Sequence, residues 1–238
     1  MPSYRQLDAA QITATLEEVR DRIAERFPQS NLRQVGEQLL AVSREASTCA
    51  EYLGRPNLPL RVLAGLAIVV LVSLLLAVAA FTVDAPARMG ISDLIQTIEA
   101  GVNDVAFFGI AVFFILGVET RVKRRRALAL LHELRSLAHI VDMHQLTKDP
   151  ERLMSKRSAA ASAEHPQPTT GVDLGKYLDF CSELLSLVSK IAALLVQRFN
   201  DSVVLASVTE IEDLTTGLSG KIWQKITILE RSANQGRT

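Results

Sequence analysis

Three of the chain's four histidines, His132, His139 and His144, fall within thirteen residues, with Asp142 between the last two. Imidazole and carboxylate groups suit zinc or iron. Helical geometry works against a shared ion. His132 and His139 would stand two turns apart, about 10.5 Å along the axis. His139 and Asp142 can meet at i, i+3, but His144 points roughly 140° away from His139 at 3.6 residues per turn. A metal site here is therefore built on His139 and Asp142 and needs ligands from another helix, such as Glu210, Glu212 or Asp213. The competing reading is a polar helix face that packs on a neighbour or meets headgroups.

A second constellation is basic. Arg121, Lys123, Arg124, Arg125 and Arg126 lie within six residues, whereas the segment before them carries Asp84, Asp93, Glu99 and Asp104 against Arg88. Over the whole chain 26 basic residues balance 26 acidic ones. This is a local asymmetry, of the kind that reports membrane orientation and attracts anionic lipid at about 1 kcal/mol per cation. Nucleic-acid binding would need a basic excess over a whole domain face.

Glu99, Asn103 and Asp104 form a third group. In an oligomer they would line a cation vestibule or an interface, and in a lone hairpin they would meet headgroups or water. The small residues Ala64, Gly65, Ala77, Ala80, Gly109 and Gly117 permit close helix contact. No Gly-Tyr-Gly filter loop is present. The stretch Thr215–Lys221, TTGLSGK, lacks the glycine spacing and strand context of a phosphate loop, and Gly217 and Gly220 read instead as sites of close helix packing or a kink. Trp223 reads as a core anchor. No nucleophile elbow, Cys-x-x-Cys or zinc spacing occurs. Cys49 and Cys181 are far apart and read as reduced, packed thiols. No cofactor and no catalysis are expected.

The elements that carry these groups are helical. Val62–Val83 is a run of 22 uncharged residues. At 1.5 Å per residue it spans roughly 33 Å, enough for the hydrocarbon core of a bilayer. The uncharged run Val105–Val118 is shorter, 14 residues, or about 21 Å. It can cross only by drawing in the residues before it, with a start near Ser92 as N-cap. One face then carries Leu94, Ile95, Ile98, Val102 and Val105, and the other Gln96, Glu99 and Asn103. Arg121–Arg126 places the end of this helix on the cytoplasmic side, and Arg55 and Arg61 agree for the start of the first. Both termini are then cytoplasmic, with Asp84–Asp104 an external connection too short for a folded sensor domain. The first 50 residues are polar and charged, unlike a secretory leader.

The remaining sequence predicts amphipathic helices. Residues 6–27 carry Leu7, Ile12, Leu16, Val19 and Ile23, and Pro28 ends them. Ser30–Leu53 follows with Leu32, Val35, Leu39, Leu40 and Val42. Arg124–Gln145 lines up Leu130, Leu134, Leu137 and Val141 against His132, Arg135, His139 and Asp142. Asp149-Pro150-Glu151 reads as the start of a short helix, and Ser155–Thr170 as a flexible linker. From Leu174 a heptad register holds through Leu178, Cys181, Leu185, Val188, Ala192, Leu195 and Phe199, widened by Leu184, Leu187, Ile191 and Leu194. That width means a multi-helix bundle, and Lys190 argues against a third span. Asn200-Asp201-Ser202 is a cap or turn before a last helix with Val204, Val208, Ile211, Leu214, Leu218, Ile222, Ile226 and Leu229.

These readings predict an all-α membrane protein: an N-terminal cytoplasmic hairpin (1–57), a two-span hairpin (58–120, spans about 61–83 and 98–119), a basic juxtamembrane helix and short helix (121–154), a linker (155–171), and a C-terminal cytoplasmic hairpin (172–232). The expected role is a non-catalytic scaffold or regulatory subunit of a bacterial inner membrane, partnered by anionic lipid and by itself or another membrane protein. A small oligomeric channel or transporter is the alternative, and a metal-dependent membrane enzyme on His139 and Asp142 the third reading.

Overall fold

The computed structural model of the protein describes residues 6–83, 91–146 and 171–235. The expected short helix at Asp149, the Ser155–Thr170 linker and the connection around Asp84 and Arg88 lie outside the described residues. Among those described, every regular element is an α-helix. The chain divides into two compact units, Met1–Gly54 with Arg126–Thr238, and Arg55–Arg125.

The larger unit is a helical bundle. Helix α1 (Ala9–Arg26) starts where the Asp8 carboxylate accepts the Ala10 N–H at 2.9 Å, an N-cap of the usual kind. It ends before Pro28, and Ser30 bonds back to the Phe27 carbonyl at 3.0 Å. Helix α2 (Asn31–Gly54) returns alongside it. Leu16, Val19 and Ile23 of α1 and Leu32, Val35, Leu39 and Leu53 of α2 are buried. The side chain of Arg198 lies across Gly54, where an added Cβ would come within 3.0 Å of its Cδ. Close approach explains that glycine.

The bundle is organised around α6 (Gly171–Val196), which packs against α1, α2 and the long last helix α7 (Ser202–Gln235). The heptad residues Leu174, Leu178, Cys181, Leu185, Val188, Ala192 and Leu195 are all 1% exposed or less. Leu184 and Ile191 are buried too, so the apolar face is as wide as its sequence indicates and serves several neighbours at once. Asp201 caps α7, its Oδ1 accepting from Val203 and Val204 N–H at 3.1 Å each. Ion pairs stitch the helices at the surface: Arg22–Glu183 and Arg26–Asp173 at 2.8 Å, and Arg44–Glu17 at 2.7 Å. Phe27 meets Tyr177 and Phe180 edge-on at 5.6 and 6.2 Å. The N-terminal and C-terminal hairpins thus share one core.

Helix α5 (Val118–Leu146) begins in the smaller unit and continues into the bundle. Leu130, Leu134, Leu137 and Val141 are buried as their spacing indicates, and His132 and His139 are exposed.

In the smaller unit α3 (Leu58–Val83) packs on α4 (Ile91–Leu116). Half-buried Ala64, Ala67, Ile68 and Leu71 share one face of α3, and Phe108, Ala111, Val112 and Ile115 share one face of α4. Each set repeats at i, i+3, i+4, i+7, the contact stripe of a helix pair. Most of the other described apolar side chains, such as Val62, Leu66, Val70, Phe107 and Phe113, are exposed. The second helix runs from Ile91 to Leu116, beginning beside the expected start near Ser92, and it stops at Gly117. Among its described residues, Val102 and Val105 are exposed, as are Gln96, Glu99 and Asn103. One helix, α3, is long and apolar enough to cross a membrane, and a second passes the same test when α4 and α5 are taken as one span broken at Gly117.

Candidate functional site

Among the described residues, a dense polar arrangement lies where α3 begins and α4 gives way to α5. Its centre is Glu119, in the first turn of α5 and beyond the end of α4. Oε1 accepts the Asn57 N–H at 3.0 Å and faces Lys123 Nζ at 2.9 Å. Oε2 accepts from Arg61 Nε at 2.7 Å. Lys123 Nζ also donates to the Arg55 carbonyl at 2.7 Å. One carboxylate therefore joins the start of α3 to the start of α5.

Local sequence accounts for each part. Glu119 and Lys123 are four apart on one helix face. Asn57 precedes α3, and Pro59 in the first turn costs the helix no hydrogen bond. A carboxylate at the exposed N–H groups of a helix start is also favoured by the helix dipole. The bonds from Arg61, Lys123 and Asn57 hold the Glu119 carboxyl down to about 2, so it is ionised wherever the protein is folded near neutrality.

This arrangement sorts the five clustered cations. Lys123 is 7% exposed, its charge neutralised by Glu119. Arg126 stacks over Tyr52, 4.7 Å from the ring centre. Arg121 stacks over Phe114 at 4.7 Å and donates to the Phe114 carbonyl at 3.3 Å. Arg125 is exposed and Arg124 half-buried. The run looks uniform in sequence, but the side chains have different tasks.

The other candidates are not gathered into a site. His139 is exposed, and Asp142 accepts from Gln145 Nε2 at 2.5 Å. Glu210, one of the proposed distant ligands, pairs with Arg135 at 3.1 Å beside His132. Among the described residues no three His, Cys, Asp or Glu side chains are placed to hold a metal ion. Glu99, Asn103 and Asp104 are all exposed on α4.

The core-anchor expectation for Trp223 fails, and so does the close-packing one for Gly217 and Gly220. Trp223 is 67% exposed and is no core anchor. It follows buried Ile222 by one residue, hence about 100° around the helix, and borders an open groove of about 410 Å³ floored by Phe180 and Ile226. Gly217 and Gly220 do not mark close packing, since an added Cβ at either would touch nothing within 4 Å. Open space likewise surrounds Gly65 and Gly109. Cys49 and Cys181 are buried, and burial pushes the Cys49 thiol up from its ordinary value, against the lowering effect of Arg126. A thiol so shifted is a poor nucleophile at neutral pH.

Sequence reading missed Glu119. Its acid-in-a-basic-run position and its i, i+4 relation to Lys123 were visible, but Arg61 and Asn57 lie some 60 positions upstream, beyond any local pattern. Comparison with protein-family models, with curated proteins and with solved structures finds no match.

Proposed function

We propose that the protein is a two-span membrane scaffold or regulatory subunit, non-catalytic, with both termini cytoplasmic in a bacterial inner membrane. The observation that carries this is the outer surface of the smaller unit. Sixteen large apolar side chains of α3 and α4, from Leu58 to Leu116, are 38% to 72% exposed. Half-exposure of each costs about 1 kcal/mol in water, so the set costs on the order of 15 kcal/mol. A domain's whole stability is about 5–15 kcal/mol. Lipid is the solvent that removes the penalty, and both helices have 26 residues, roughly 39 Å, length enough to cross with tilt.

The bundle supplies the scaffold. Its grooves are open and polar-rimmed, its ion pairs are structural, and its exposed Trp223 is a natural contact for a partner protein or a second copy. Oligomeric state in mild detergent, with crosslinking in the native membrane, tests the assembly claim. A monomer that captures no partner overturns it.

A channel-like oligomer is the second reading, favoured by one placement. Asp104 lies twelve residues before Leu116, roughly 18 Å into the membrane from that end. A carboxylate at such depth turns toward a partner helix or water. Ion flux in liposomes that falls on Asp104→Asn supports this reading, and leak-level flux unchanged by D104N removes it.

A further inference from the structure

Arg121 is the most tightly positioned exposed cation of the basic cluster. Its guanidinium lies 4.7 Å from the centre of the Phe114 ring. One N–H goes to the Phe114 carbonyl at 3.3 Å, which leaves further donors of the planar fork for an oxyanion. Gly117 keeps the space open, because a Cβ there would sit 3.2 Å from the Arg121 Nη2 atom. Arg125 is exposed one turn further on, on the same face as Arg121. Lys123, in contrast, is buried against Glu119. Phe114 itself is 54% exposed. On this face an open aromatic ring thus lies directly against a pre-oriented guanidinium, and the chain runs from ring to charge. A lipid leaflet presents acyl chain and then phosphate in the same order.

We infer that Arg121 and Arg125 form a docking site for the phosphate of an anionic phospholipid, with Phe114 against its acyl chain. Arginine suits this task, since its fork matches phosphate oxygens bidentately while its flat face stays on the ring. Lys123 takes no part, its charge being held by Glu119, and Arg126, five residues after Arg121, points about 140° away from it around the helix. The site rests on the membrane reading above, and the two fail differently. A chain that does not float with vesicles refutes the membrane reading, whereas one that floats without preferring anionic lipid refutes the site alone.

The test uses the full chain reconstituted in phosphatidylcholine vesicles holding a trace of spin-labelled phosphatidylglycerol or spin-labelled phosphatidylcholine. The motionally restricted signal reports relative association. The native chain is expected to prefer phosphatidylglycerol, and Arg121→Ala or Arg125→Ala to lower the preference by up to about fivefold each. Arg121→Lys, which keeps the charge and loses the fork, is expected to fall nearly as far. Arg135→Ala, on the surface pair with Glu210, is expected to change nothing. Undiminished preference in R121A overturns the inference. So does full preference in R121K, which would mean diffuse charge alone, or equal loss in R135A. Release of the labelled lipid by excess inorganic phosphate would mean a soluble-anion site and overturns it as well. Helical circular dichroism, unchanged in all four variants, keeps loss of fold apart from loss of the site.

Discussion

Glu119→Gln is the most informative single substitution in the smaller unit. Glutamine keeps the shape and retains one oxygen for the Asn57 N–H. It loses the charge that Arg61 and Lys123 bond to. The Arg61 side chain is 61% exposed, so that pair contributes about 0.5 kcal/mol. Lys123 is the costlier partner. Its side chain is 8% exposed, and an ammonium left there with its carboxylate partner removed costs about 1–3 kcal/mol. The expected loss is about 2 kcal/mol, read as a lowered unfolding midpoint in mixed micelles. Lys123→Met removes the other half. The double variant E119Q/K123M should recover part of the sum, because no buried charge then stands alone. Losses that simply add, or an E119Q loss below about 0.5 kcal/mol, would refute the clasp. Acid gives a second handle. The Glu119 carboxyl is lowered from 4.5 to about 2. Its stabilisation is therefore full above the unfolded value and is lost as pH falls from 4.5 toward 2.

Three further outcomes follow from the bundle. Trp223→Ala should change stability by less than about 0.5 kcal/mol, whereas Tyr177→Ala, at a residue 1% exposed, should cost about 3–5 kcal/mol, by denaturant titration. Gly217→Ala and Gly220→Ala should each stabilise α7 by about 0.5–1 kcal/mol, seen as a raised Tm, because the added methyl meets nothing. Asp201→Ala should cost about 1–2 kcal/mol through loss of the cap, and Asp201→Asn much less, as measured by the same melts.

What could be read from the sequence followed periodicity. The α6 heptad and the buried face of α5 are legible because helical burial repeats every 3.6 residues, and the apolar residues there follow that rhythm. The same rhythm puts Ile222 inside and Trp223 outside, so register, not the size of the side chain, decides burial there. The α4 helix ends at Leu116 rather than near 119, because the chain breaks at Gly117, where the Arg121 side chain folds over it and hydropathy carries no signal. The Glu119 clasp and the division of labour among Arg121, Lys123 and Arg126 were out of reach. They depend on where Asn57, Arg61 and Tyr52 come to lie in three dimensions, which no local spacing encodes.

The central claim is that α3 and α4 both cross a bilayer and leave the bundle on the cytoplasmic side. Labelling with a membrane-impermeant thiol reagent in sealed cells tests it most directly. Gln96→Cys is placed on the exposed outer half of α4 and Glu230→Cys on exposed α7, and the parent, whose two cysteines are buried, serves as the blank. Gln96→Cys should label in intact cells, and Glu230→Cys only after permeabilisation. Labelling of both positions from the same side would contradict the account.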